Sequence, residues 1–185
     1  MKESVNLREN VSGTVYRKGG AALNEELLPK GRFRYEVIRN GNVVASGEMD
    51  NAIVTQGKNS LLDVYFRNQT QLPNWYFGLV DNSGWTAFAA GDTAASHAGW
   101  TEFVTYSEGT RQAWLPGAAS SASITNGTVA TFSITGTATL KGAFIISNST
   151  KSGTSGTLWS EAAFSGGTVA VVNGDELRLT YTLSC

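Results

Sequence analysis

The stretch RFRYEVIRNGNVVASGEM, residues 32–49, carries the clearest fold signal in the chain. Phe33, Tyr35 and Val37 recur at every second position, which places them on one face of an extended strand. The Asn-Gly dipeptide at 40–41 comes next, and it supplies the two residues with positive φ that a type I′ turn needs. This pattern predicts a β-hairpin over residues 32–49.

The same two-residue period continues through most of the rest of the chain. Short apolar-polar runs separated by Gly-rich and Asn-rich turns fill residues 74–184. We predict strands at 74–81, 101–107, 111–115, 128–135, 139–147, 156–164, 168–172 and 175–184. Many short strands with regular turns imply antiparallel pairing, so we expect an all-β fold, an antiparallel β-sandwich or a jelly roll.

Two segments depart from the strand pattern. Residues 56–67 have apolar side chains at helical spacing and predict one short helix, with Thr55 or Asn59 as a possible cap. Residues 1–30 show no firm period and predict an extended N-terminal arm. A chain of 185 residues has room for one well-buried core, which we assign to a β domain spanning residues 31–185.

The composition excludes several classes of partner. Fourteen Lys and Arg residues against 15 Asp and Glu residues give a net charge of -1, so we expect no nucleic-acid partner. The first residues lack an apolar signal core, and no run approaches the roughly 18 apolar residues of a membrane span. We therefore expect a chain made in the cytoplasm, with no membrane partner.

Candidate catalytic groups are few. His97 is the single imidazole, and no serine near it lies in a nucleophile elbow. Glu102 and Glu108 could form a glycosidase pair, but on an extended strand they would lie about 20 Å apart. The simpler interpretation makes them solvated strand residues, one of which pairs with Arg111. We expect no catalytic residue, and hence no enzyme.

Metal and cofactor sites find equally little support in the sequence. One His and one Cys cannot form a structural zinc site, and no phosphate-binding glycine motif is present. A calcium site shared by Asp81, Asn82 and Asp92 is a weaker alternative, because the spacing lacks the distal glutamate of a calcium loop. We expect neither a metal nor a cofactor.

The five tryptophans are the most informative side chains for binding. Trp75 and Trp159 lie in strand-like runs and are expected in the core. Trp85, Trp100 and Trp114 flank a segment, residues 82–101, that is long for a loop and either packs on its own aromatics or serves as a contact surface. These three indoles either clamp that segment or face a partner, and we take them as candidate partner-contact residues.

Four longer segments resemble a group of small virion proteins of tailed bacteriophages: NAIVTQGKNSLLDVYF, NWYFGLVDNSGWTAFAAGDTAASHAGWTEFVTYSEGTRQAW, LKGAFIISNSTKSGTSGTLWSEAAF and VVNGDELRLTYTLS. The resemblance covers residues 52–185. It implies a non-enzymatic head decoration, or cement, protein in the virion, assembled in the host cytoplasm. The implied partners are the major capsid protein and copies of the chain itself, as a dimer or trimer. The alternative is a tail-fibre or carbohydrate-binding, receptor-binding module that uses the three indoles.

Overall fold

The computed structural model describes residues 29–185, so nearly all of the predicted arm, residues 1–28, lies outside the described residues. The described part contains one helix and twelve strands: β1 (Lys30–Arg39), β2 (Asn42–Asp50), β3 (Ala52–Ile53), α1 (Thr55–Phe66), β4 (Trp75–Asp81), β5 (Thr101–Phe103), β6 (Gln112–Trp114), β7 (Ser123–Thr125), β8 (Ala130–Ser133), β9 (Ala138–Ile146), β10 (Leu158–Ala163), β11 (Val169–Val171) and β12 (Glu176–Ser184). Within residues 29–185, no helix is long and apolar enough to cross a bilayer.

The strands form two antiparallel sheets, which confirms the all-β sandwich expected from the sequence. In the first sheet the order is β2-β1-β12, and β12 pairs beyond that with both β7 and β8. In the second sheet the order is β3-β10-β9-β4-β5, with β11 also on β9 and β6 also on β4. The two inner faces pack against each other and make the main core.

The hairpin prediction is confirmed in its turn and in its register. Asn40 and Gly41 both have positive φ, 50° and 79°, and β1 pairs with β2 on either side of them. Phe33, Tyr35 and Val37 are buried in the main core, as their alternation requires. The hairpin therefore forms one edge of the first sheet.

Strand β9 is the centre of the second sheet and is covered on both faces, as its uninterrupted apolar run predicts. Ala143 and Ile145 point into the main core, whereas Phe144 and Ile146 belong to a second apolar cluster on the other face. Residues 82–100, which we call the covering loop, close that second cluster. The long segment thus packs on its own aromatics.

Helix α1 begins at Thr55, close to the predicted position, but neither Thr55 nor Asn59 caps it. Val54 is the N-cap residue and supplies no side-chain hydrogen bond. The helix lies against β10 through Gly57, where an added Cβ would come within 2.5 Å of the Trp159 carbonyl oxygen. The absence of a side chain at this position lets the two backbones approach.

Several strand predictions differ from the structure at the edges. Strands β3 and β7 were not expected, because one has two residues and the other, Ser-Ile-Thr, has no apolar alternation. The strand predicted at 101–107 ends at Phe103, and Tyr106 makes a single bridge to Ile134 in the first sheet. Short edge segments depend on their neighbours rather than on local pattern.

Tyr181 on β12 joins the two sheets. Its side chain is fully buried, and its hydroxyl oxygen accepts hydrogen bonds from Trp159 Nε1 on β10 and from Asn51 Nδ2, each at 2.9 Å. Its carbonyl oxygen accepts a further bond, at 3.3 Å, from Trp114 Nε1 on β6. Tyr181, in the first sheet, thus accepts hydrogen bonds from two tryptophans of the second sheet.

We predict that Tyr181→Phe lowers the free energy of unfolding by about 2 kcal/mol, since it leaves a buried indole N–H without an acceptor. Urea denaturation monitored by circular dichroism measures the change. Tyr106→Phe is the matched control, because the Tyr106 hydroxyl is buried and has no partner among the described residues. That variant should be neutral or slightly stabilising, and an equal loss in both variants would contradict the assigned role of Tyr181.

Candidate functional site

Trp100, one of the three candidate contact residues, is a core residue. It is only 3% exposed and packs on Phe144, with the ring centroids 4.9 Å apart. Its indole Nε1 donates to Asp92 Oδ2 at 3.0 Å, and the His97 ring stacks on it at 4.0 Å. Of the two alternatives for Trp100, the structure therefore supports the first: the buried indole clamps the covering loop to the sheet and leaves little surface for a partner.

Trp85 and Trp114 are half-buried and lie in different clusters. Lys141 Nζ lies 4.2 Å from the centroid of the Trp85 ring and covers that face. Trp114 packs on the main core, its ring 5.6 Å from that of Tyr181. The structure does not bring the three indoles together into one platform.

Trp159 is buried as expected, and Trp75 is half-buried beside it.

Glu102 and Arg111 form a buried ion pair. Arg111 Nε and one terminal nitrogen donate to the two carboxylate oxygens of Glu102 at 2.9 and 2.8 Å. The backbone N–H of Ser152 donates to the same carboxylate at 2.6 Å. The predicted pairing with Arg111 is confirmed, but the expectation that Glu102 is solvated is wrong, since both side chains are buried.

Glu108, the other carboxylate considered for catalysis, has a separate structural role. Ser133 lies at the end of β8. Its backbone N–H donates to both carboxylate oxygens of Glu108, each 3.1 Å from the nitrogen. Glu102 is bound to Arg111 instead, so each carboxylate serves a different part of the fold. The geometry supports no acid-base pair between them.

The acidic residues considered for calcium also have other partners. Asp81 Oδ1 accepts the backbone N–H of Ser83 at 2.7 Å, whereas Asp92 accepts the indole of Trp100. Within the part of the chain that the structure describes, no group of three or more His, Cys, Asp or Glu side chains could hold a metal ion.

The two most exposed large apolar side chains of residues 29–185 lie at the C-terminal end of α1. Tyr65 and Phe66 are 78% and 74% exposed, and their rings meet edge to face with centroids 5.0 Å apart. Leu61 and Leu62 are exposed beside them. We call these four residues the helix patch. Scattered exposed apolar residues are ordinary, but a contiguous patch with two aromatic rings is typical of a contact surface.

A groove of about 1550 Å³ lies between the helix patch and the outer face of the β1-β2 hairpin. The hairpin wall carries charged residues that neutralise one another. Arg32 contacts Glu48 at 3.2 Å and Asp50 at 2.9 Å, and Arg34 contacts Glu48 at 2.8 Å. The guanidinium of Arg34 also holds the pKa of Glu48 below its ordinary value. Most of the surface that lines the groove is apolar.

The sequence predicted the helix but not which of its faces is exposed. The helical spacing of Leu61, Leu62, Tyr65 and Phe66 is the usual mark of a face turned toward the core. The contrary signal is Gly57, a poor helix former in the first turn of the helix, which marks the point of close backbone approach. Although α1 contacts β10 at Gly57, in its first turn, the four residues of the helix patch in its second half are exposed.

No protein-family model matches the chain, and no curated protein matches it. The resemblance to phage virion proteins therefore stays a prediction.

We predict that Glu102→Gln lowers the free energy of unfolding by about 3 kcal/mol, because it leaves the buried Arg111 guanidinium without its counter-charge. Glu108→Gln is the control, since a glutamine carbonyl can still accept the Ser133 N–H. Thermal and urea denaturation of both variants measure the difference. Similar stability in the two variants would contradict the structural importance of the ion pair.

Proposed function

We propose that the protein is a non-enzymatic structural protein of a tailed-phage virion, a capsid decoration protein that binds and stabilises the outer surface of the head. The observation that carries this proposal is the helix patch, defined above by Leu61, Leu62, Tyr65 and Phe66. The proposed partners are the major capsid protein and further copies of the chain, as a dimer or trimer. The proposed location is the virion, after assembly in the host cytoplasm.

The first support is the energetic cost of leaving the helix patch in water. Burying a large apolar side chain is favourable by about 1.5–3 kcal/mol, and buried aromatic anchors dominate protein-protein binding. Tyr65 and Phe66 are mostly exposed, so most of that free energy is still to be gained. Binding of a protein partner that covers both rings would be favoured by this free energy of burial.

The second support is the rigidity of the helix that carries the patch. Gln56, in the first turn of α1, accepts the backbone N–H of Leu158 at 2.8 Å and that of Ala94 at 3.2 Å. Together with the close contact at Gly57, these bonds attach α1 to both β10 and the covering loop. A preordered surface loses less conformational entropy on binding than a flexible one.

The third support is the charge of the surface. The net charge is -1, and four of the six charged side chains that line the groove, Arg32, Arg34, Glu48 and Asp50, are paired with one another. Contact with a capsid lattice through such a surface depends on apolar burial and is little screened by salt. A contact repeated at every lattice position stabilises the assembled head by mass action even where each copy binds weakly.

The carbohydrate-binding alternative needs exposed indole faces. Trp100 is buried, and Lys141 covers a face of Trp85. Trp114 packs against Tyr181. No single observation favours this alternative, so glycan binding enters only as an outcome of the test.

We predict that the double variant Tyr65→Ser and Phe66→Ser binds emptied heads at least about tenfold more weakly than the wild-type chain, since it removes two aromatic anchors. The matched control is Val43→Ser with Val44→Ser, which removes two exposed apolar side chains from the hairpin strand β2, away from the groove. Cosedimentation of each purified protein with heads that lack it, at low and high salt, measures the difference.

Equal loss in both double variants, or none in either, would contradict a contact through the helix patch. Heads that carry the wild-type protein should also release their genome at a higher temperature than bare heads. Unchanged heat release, together with saturable binding to host glycans that Trp85→Ala abolishes, would replace the decoration proposal with the receptor-binding one.

A further inference from the structure

A carboxyl group lies unpartnered beneath the covering loop. Glu161, on β10, is 1% exposed. It pairs in register with Phe144 of β9, and cross-strand partners share a face, so its side chain lies on the side of the second apolar cluster. No N–H or O–H group of the described residues donates to either of its carboxyl oxygens. A buried ionised carboxylate without a partner is strongly unfavourable.

A second carboxyl, that of Asp92 on the covering loop, lies on the same face: Trp100, which donates to Asp92, packs on Phe144, the cross-strand partner of Glu161. Asp92 is buried, and its Oδ2 accepts hydrogen bonds from the Ala89 backbone N–H at 3.2 Å and from Trp100 Nε1 at 3.0 Å. These two bonds hold the Asp92 carboxyl in place on the covering loop. Its other oxygen, Oδ1, makes no such bond within residues 29–185 and is free to accept one.

The two neighbouring acids cannot both be ionised without a large electrostatic cost. Burial raises the pKa of Glu161 to about 8, and the charge of Asp92 contributes to the rise. At neutral pH Glu161 therefore holds a proton, and the Asp92 carboxylate is the acceptor next to it.

We propose that Glu161 and Asp92 form a proton-dependent latch that fastens the covering loop to the second sheet. In the closed state the Glu161 O–H donates to the Asp92 carboxylate. Loss of this proton leaves two negative charges in an apolar pocket, and the covering loop opens to hydrate them. Opening uncovers Trp100 and the Phe144 face of β9, so alkaline pH exposes apolar surface that acidic pH keeps closed.

Other charged groups near this face are already engaged. Lys141 of β9 lies over the Trp85 ring, His97 stacks on Trp100, and Arg111 is paired with Glu102. On α1, Lys58 is exposed, and β3 carries no charged residue. None of them offers Glu161 a counter-charge, which leaves Asp92 as the charged group that acts on it.

The direction of the pH effect follows from the two states of the loop. In the open state Glu161 is hydrated and titrates near its ordinary pKa of 4.5, whereas in the closed state its pKa is about 8. Between these values the open state has lost the proton that the closed state keeps. The opening equilibrium constant therefore rises by up to about tenfold per pH unit over this range and levels off above it.

Hydrogen exchange measured by mass spectrometry on the intact protein, from pH 5 to pH 8.5, tests the latch. After correction for intrinsic exchange rates, we expect the amides of the covering loop to lose protection by about tenfold per pH unit up to about pH 8. The amides of β12 serve as the internal reference and should stay protected throughout.

Glu161→Gln keeps a donor for Asp92 but cannot titrate. In this variant the amides of the covering loop should stay protected at pH 8, and their protection should no longer depend on pH. Asp92→Asn removes the charge that helps to raise the pKa of Glu161 in the closed state. The amides of the covering loop should then stop losing protection at a lower pH than in the wild type. Glu176→Gln, at a partly exposed carboxylate on β12, is the matched control and should behave as the wild type. Circular dichroism confirms that each variant is folded.

Two results would overturn the latch. One is loop protection in the wild-type protein that does not change between pH 5 and pH 8, or that changes equally in Glu161→Gln. The other is recovery of protection at pH 8 when calcium chloride is added, which would show that a cation and not a proton holds the two carboxyls together.

Discussion

The hydroxyl of Tyr181 is the polar contact on which the sandwich depends most. It lies at the fully buried junction of the two sheets and accepts hydrogen bonds from Trp159 and Asn51. The backbone N–H of Tyr181 donates to Asn126 Oδ1 at 2.7 Å, and its carbonyl oxygen accepts from Trp114. An apolar core alone fixes neither the relative position of two sheets nor their register, whereas directional bonds to a single buried residue restrict both.

The same junction determines where the proposed contact surface lies. Trp159, hydrogen-bonded to Tyr181, is the residue of β10 against which Gly57 packs, and the preceding residue, Leu158, donates its backbone N–H to Gln56. Helix α1 is thereby attached by its first turn to the centre of the fold. Its second half, with Tyr65 and Phe66, extends into solvent on a fixed axis. The sandwich thus acts as a rigid support for two exposed aromatic rings.

Sequence patterns correctly predicted the elements whose conformation depends on residues that are close together in the chain. The Asn-Gly turn at 40–41 and the alternation of β1 are examples, because both depend on neighbours within a few residues. The patterns failed where a distant segment decides the outcome. Trp100 and Glu102 were candidates for surface positions, yet contacts with Phe144 and Arg111 bury them. The exposed face of α1 was missed for the same reason, since its spacing is that of a buried face and only Gly57 indicated otherwise.

Hydroxyl-radical footprinting of the protein, free and bound to heads, tests the central claim that the helix patch is the contact with the capsid. We expect oxidation of Tyr65 and Phe66 to fall several-fold on binding, while oxidation of Leu115, an exposed residue outside the groove, stays unchanged. Oxidation of Tyr65 and Phe66 that is the same in both states, with protection appearing instead at Trp85, would contradict the account.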